Sequence, residues 1–114
     1  MRTIQKLSLS SIQYNALQEL KEQIIKRFEV VQLILFGSVA RGEADDESDL
    51  DLLVITKKLY TRIERHGITN MVFEINLKYG TNISTTVVDY NSWENGVFSV
   101  LPIKHEIQRE GIVI

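Results

Sequence analysis

The sequence predicts a small mixed α/β domain of the α+β class, a sheet of three to four strands packed against helices. Three observations carry this. Apolar residues recur every three or four positions in two long segments, 11–28 and 60–79, which is the period of a helix. Three runs rich in Val, Ile, Leu and Thr, at 30–36, 49–55 and 83–90, have the length and composition of strands. The order is helix, strand, strand, helix, strand, helix, and 114 residues suit one domain, 1–114, with one core.

Ser10 or Ser11 can cap the first helix. Leu17, Leu20, Ile24 and Phe28 form its stripe, and Ile12 and Ile25 widen it, so it should run from about Ser11 to Phe28. Val30 to Phe36 is short, apolar and β-branched, and stops at Gly37, as a buried strand would. Residues 38–48 are polar, and Asp49 to Ile55 is the second strand. The second helix, Tyr60 to Tyr79, buries Ile68, Val72, Ile75 and Tyr79. Gly67 lies inside it at a cost of about 1 kcal/mol against alanine, and Gly80 is placed to end it. Ile83 to Tyr90 is the third strand, after which Asn91 and Ser92 offer a cap or turn. Residues 98–110 are weakly helical, with Pro102 tolerable only in the first turn. Gly111 ends that helix, and Ile112 to Ile114 can add a short edge strand.

Composition narrows the function. Hydrophobic residues make up 44% and charged residues 25%, an ordinary balance for a soluble globular domain. The net charge of −2 argues against sequence-blind binding to nucleic acid or to an anionic membrane, which needs a positive excess. With no cysteine, disulfide scaffolds, thiolate chemistry and Cys-type zinc sites are excluded. No apolar run approaches the ~20 residues of a membrane span, and the first ten residues lack the apolar centre of a signal peptide, so the cytoplasm is the expected location. His66 and His105 stand alone, without the partner spacing of a metal site. Tyr90, Trp93 and Phe98 are expected in the core, with a contact surface for a partner around Trp93, Phe98 and Val100 as the other reading.

Charge is unevenly placed. Between Glu43 and Asp51 six of nine residues are acidic, while the rest of the chain carries a surplus of positive charge. The informative stretch runs Leu35-Phe36-Gly37-Ser38-Val39-Ala40-Arg41-Gly42, five residues, then Ser48-Asp49-Leu50-Asp51. Two strands joined by a short loop tend to be antiparallel neighbours, which places Gly37 and Ser38 beside Asp49 and Asp51. Strand alternation points both aspartates to one face, with Cα atoms about 6.7 Å apart at ~3.3 Å per residue. Two such carboxylates repel unless a cation intervenes. Mg²⁺ suits an all-oxygen site completed by substrate phosphates. Gly37 would let the backbone approach a phosphate. Ser38 adds a hydroxyl and a turn whose N–H groups can face an anion, and Arg41 can grip a phosphate with two donors. Together they suggest metal-assisted handling of a nucleoside triphosphate.

The pattern Gly-Ser-x-Ala-x-Gly, five residues, Ser-Asp-x-Asp, then an apolar strand resembles the minimal nucleotidyltransferases of the DNA polymerase β-like superfamily. The resemblance covers essentially the whole chain. It implies a transferase that moves a nucleoside monophosphate, usually AMP, from a triphosphate to a hydroxyl of a macromolecule, using Mg²⁺ (or Mn²⁺) and releasing pyrophosphate. In that scheme Gly37 and Ser38, with Arg41 and Ser48, hold the nucleotide, and Asp49 and Asp51 hold the metal. It also implies a protein partner, since small members often act as antitoxins paired with a helical HEPN-type toxin.

One departure stands out. The family places a third carboxylate early in the third strand, to bind the second metal and activate the attacking hydroxyl. Here that position falls on Ser84. The acid of that strand, Asp89, is five residues on, about 17 Å along and on the opposite face by parity. It could serve as the third catalytic acid only through a bulge or shifted register, with Glu74 and Glu43 as remoter candidates. The same chain could therefore be a weak or inactive antitoxin-like module that binds nucleotide and acts by protein contact.

Overall fold

A computed structural model describes residues 2–3, 9–42 and 48–114. Five strands form one mixed sheet in the order β1-β5-β2-β3-β4. Three are the expected long strands: β2 (Val30–Phe36), β3 (Leu50–Thr56) and β4 (Ile83–Asp89). The C-terminal β5 (Ile112–Val113) is not an edge strand. It pairs antiparallel with β2 and parallel with β1 (Arg2–Thr3), an element with no patterned signal in two residues.

α1 (Ser11–Arg27) begins with a reciprocal cap: the Ser10 hydroxyl accepts from the Gln13 amide, and the Gln13 side chain accepts from the Ser10 amide, both at 3.1 Å. Leu17, Leu20 and Ile24 are fully buried, but Ile12 and Ile25 are exposed and do not widen the stripe. Each lies about 100° or more around the helix from that line. α2 (Arg62–Tyr79) repeats the device with Thr61 and Glu64, and ends at Gly80 in the left-handed region. Gly67 has a packing reason: a Cβ there would stand 3.3 Å from the Phe28 ring. α3 (Tyr90–Asn95) occupies the expected turn, and α4 (Pro102–Glu110) starts at the proline after a short 3₁₀ turn.

The sheet separates two apolar layers. Leu33, Leu35, Leu50, Leu52, Val54 and Ile83 face α1 and α2. Ile34, Leu53, Ile55 and Val88 face α3 and α4, where Trp93 is 4% exposed and Phe98 packs on it at 6.3 Å between ring centroids. Burial removes Trp93 from any contact surface, although Val100 is exposed. No helix among the described residues is long and apolar enough to cross a membrane.

Candidate active site

The site lies where β2 ends and β3 begins. The two strands are antiparallel and bring Phe36 opposite Asp51, so the turn after Phe36 closes over the start of β3. Gly37 opens that turn at φ +83°, a conformation that costs an L side chain about 1–2 kcal/mol. Space is equally restrictive: a Cβ at 37 would stand 2.5 Å from Asp51 Oδ2. Glycine is what lets the backbone and the carboxylate share this corner.

The rest of the turn is anchored from below. Val39 and Ala40 are buried in the core under α1 and α2. The Arg41 amide donates to the carbonyls of Gly37 and Ser38 at 3.2 Å, and the Gly42 amide to Val39 at 3.0 Å. The amides of Ser38 and Val39 have no acceptor among the described residues. Arg41 reaches α4, where its guanidinium lies 3.4 Å from Glu110. Between turn and helix is a cavity of about 190 Å³, with Phe36, Gly37 and Arg41 on one side and Ile103, Ile107 and Glu110 on the other.

Asp49 lies just before β3, near enough for its charge to act on Asp51. Partial burial raises the Asp51 carboxyl above its ordinary value, and the charge of Asp49 raises it further. Asp49 itself is exposed, and Ser48 half-buried just before it. The donors suit a hard divalent cation: oxygen ligands, two carboxylates, and a repulsion that a cation relieves. No group of three His, Cys, Asp or Glu residues suited to a metal occurs among the described residues. Glu43 and the other acids of positions 43–47 lie outside them.

The parallel pairing of β3 with β4 sets the remaining candidates. Asp51 is paired with Ser84, which shares its face, and Thr56 with Asp89 at the far end. Asp89 does not converge on the other two aspartates. The pairing contains no bulge or shifted register that could bring it back. Its carboxylate caps α3, accepting from the Ser92 amide at 3.0 Å. Hydrogen bonds from Ser92 hold it below the usual carboxylate range.

Asn76 carried no signal in the sequence beyond an amide residue near the end of a helix. Its side chain donates to the Ile83 carbonyl at 3.0 Å and accepts from the Ile83 amide at 2.9 Å. These bonds fix the start of β4, and with it Ser84, beside Asp51.

Comparison with known proteins places the chain in a family. The family described as "Nucleotidyltransferase domain" matches residues 17–112. The chain belongs to that family. It is 43% identical over 79 residues to a Methanocaldococcus jannaschii protein named "Putative protein adenylyltransferase MJ1305", covering 66% of this chain and 54% of the relative. The chain thus spans about half the length of that curated relative. A solved structure called "Structure of putative minimal nucleotidyltransferase" superposes with a TM-score of 0.60 at 22% identity, over 94% of this chain and 99% of that one. A second, "Crystal structure of the toxin-antitoxin with AMP-PNP", gives a TM-score of 0.53 at 18% identity, over 87% of this chain and 69% of that one. At such identities the two structures show a common fold.

Proposed function

We propose that this nucleotidyltransferase domain, acting as one unit over residues 1–114, binds Mg²⁺-ATP and transfers AMP to a hydroxyl of a protein partner in the cytoplasm. The observation that carries the reading is the corner of Gly37 and Asp51, where a positive φ and a missing Cβ bring a main-chain turn onto a carboxylate of raised pKa. The amides of Ser38 and Val39, with the Ser38 hydroxyl and the Arg41 guanidinium, are the donors for the triphosphate. Ser48, half-buried just before Asp49, offers a further hydroxyl to the nucleotide. Asp49 and Asp51 would hold the divalent cation, Mg²⁺ or Mn²⁺. When bound, it offsets the negative charge of the carboxylates and phosphates together.

ATP as the nucleotide is supported by the AMP-PNP complex of a structural neighbour, and a protein as the acceptor by the name of the curated relative. A partner such as the HEPN-type toxin of a toxin–antitoxin pair fits both. In the transfer, the acceptor oxygen bonds to the α-phosphorus, the bond to the β-phosphate breaks, pyrophosphate leaves, and the hydroxyl proton passes to solvent water. Ser84 stands where a third acid would take the hydroxyl proton, and its neutral hydroxyl is a poor base and a poor metal ligand. Losing a general base typically costs 10²–10⁴-fold in rate, so the chain by itself should turn over slowly. That one position favours the second reading, a nucleotide-binding module acting through protein contact.

Calorimetric titration tests the binding. ATP affinity should depend on Mg²⁺, and equal affinity in chelator would refute the site. Labelled ATP with candidate protein acceptors tests transfer. Ser84→Asp should raise the rate by at least about 10-fold. No labelling with either form would leave the binding module as the function.

A further inference from the structure

β4 ends the sheet on its side, paired with β3 and with no second neighbour among the described residues. Its backbone groups alternate in direction. The Leu50 amide donates to the Asn82 carbonyl at 2.9 Å, so the even-numbered groups of β4 face β3 and those of Ile83, Thr85 and Val87 face outward. Asn76 satisfies both groups of Ile83, and beyond Asp89 the chain turns into α3. A short window is left: the N–H and C=O of Thr85 and Val87, which bond no described residue.

This window lacks the usual protections of an edge. β4 contains no lysine, no proline and no bulge against β3. It is also self-complementary. Under a two-fold rotation at Thr86, Thr85 of one copy faces Val87 of the other, and the two pairs exchange four N–H to carbonyl bonds. Thr86 then meets its own equivalent in the non-hydrogen-bonded position, where side chains come closest. Thr86 is exposed. Four hydrogen bonds alone make a small contact, and stable interfaces bury more area. α2 supplies it: Phe73, one turn before Asn76 on the same flank, is 62% exposed. Joined sheets would lay the two α2 helices side by side and cover it.

We propose that the chain forms a two-fold dimer in which β4 of a second copy adds antiparallel to β4, centred on Thr86. Light scattering on the purified chain should then give about 26 kDa, twice the 13.1 kDa of one copy. Thr86→Lys and Thr86→Glu should each give monomers of 13.1 kDa with unchanged circular dichroism, because each variant opposes like charges across the axis. Mixing the two variants in equal amounts should restore the dimer mass, since position 86 meets position 86. Val87→Pro removes an outward N–H that β3 does not use and should also give monomers. A monomeric wild-type chain at high concentration overturns the proposal. So does a dimer insensitive to both charges, or the absence of recovery on mixing.

Discussion

Gly37→Ala tests the corner on which the site depends. Alanine meets two penalties there. Holding a Cβ at φ +83° costs about 1–2 kcal/mol. The new Cβ also stands 2.5 Å from Asp51 Oδ2, so the carboxylate must retreat by about 0.9 Å to reach an ordinary 3.4 Å contact. Asp51 is only half-buried, which puts that displacement near the low end of the ~1–3 kcal/mol for overpacking. The sum is about 2–3 kcal/mol, a fall in melting temperature on the order of 10 °C for a domain of this size. A displaced metal ligand should also weaken Mg²⁺-ATP binding by at least about 10-fold, since misplacements near 1 Å can cost 10²-fold in function. Thermal melts and calorimetry of Gly37→Ala in the wild-type and Asp51→Ala backgrounds separate the two penalties. Without the Asp51 carboxylate only the φ penalty should remain, a coupling of about 1 kcal/mol. An equal cost in both backgrounds would refute the close contact, and full Mg²⁺-ATP affinity in the single variant would refute the role of the corner.

Asp51→Asn addresses the electrostatics. The folded-state pKa of Asp51 is raised, so the native chain holds its proton more tightly than the unfolded one. Stability therefore falls as pH rises from the ordinary value of 3.8 through the folded-state value. Asp51→Asn should abolish that slope in pH-dependent melts of the metal-free chain, leave it as stable or more so at neutral pH, and weaken the Mg²⁺ dependence of ATP binding. Asp89→Ala should remove the cap of α3 and cost about 1 kcal/mol of stability. Calorimetry should find its Mg²⁺-ATP affinity unchanged, whereas a loss of affinity would return Asp89 to the site.

Local rules carried most of the sequence reading. Ser10 is a cap because a hydroxyl before a helix satisfies amides that nothing else can reach. Leu17, Leu20 and Ile24 fall on one face because the helical period puts them there. The spacing of Gly37-Ser38 and Asp49-x-Asp51 was legible for the same reason: a turn between adjacent strands leaves them few ways not to meet. The same local view overreached at Ile12 and Ile25, which are apolar but off the stripe, and missed α3, where Asp89 reads equally well as a strand end and as a cap.

What only the tertiary structure decided depends on contacts between distant segments. Parallel pairing of β3 and β4 crosses an entire helix, so no neighbouring residue fixes its register. The Asp51–Ser84 and Thr56–Asp89 pairs settle where the strand's acid lies. The insertion of β5 between β1 and β2 joins the two ends of the chain. Asn76 acts on the backbone of Ile83, seven positions on and in another element. The carboxylate against Gly37 comes from the facing strand, so the demand for glycine is set by a residue its own turn does not contain.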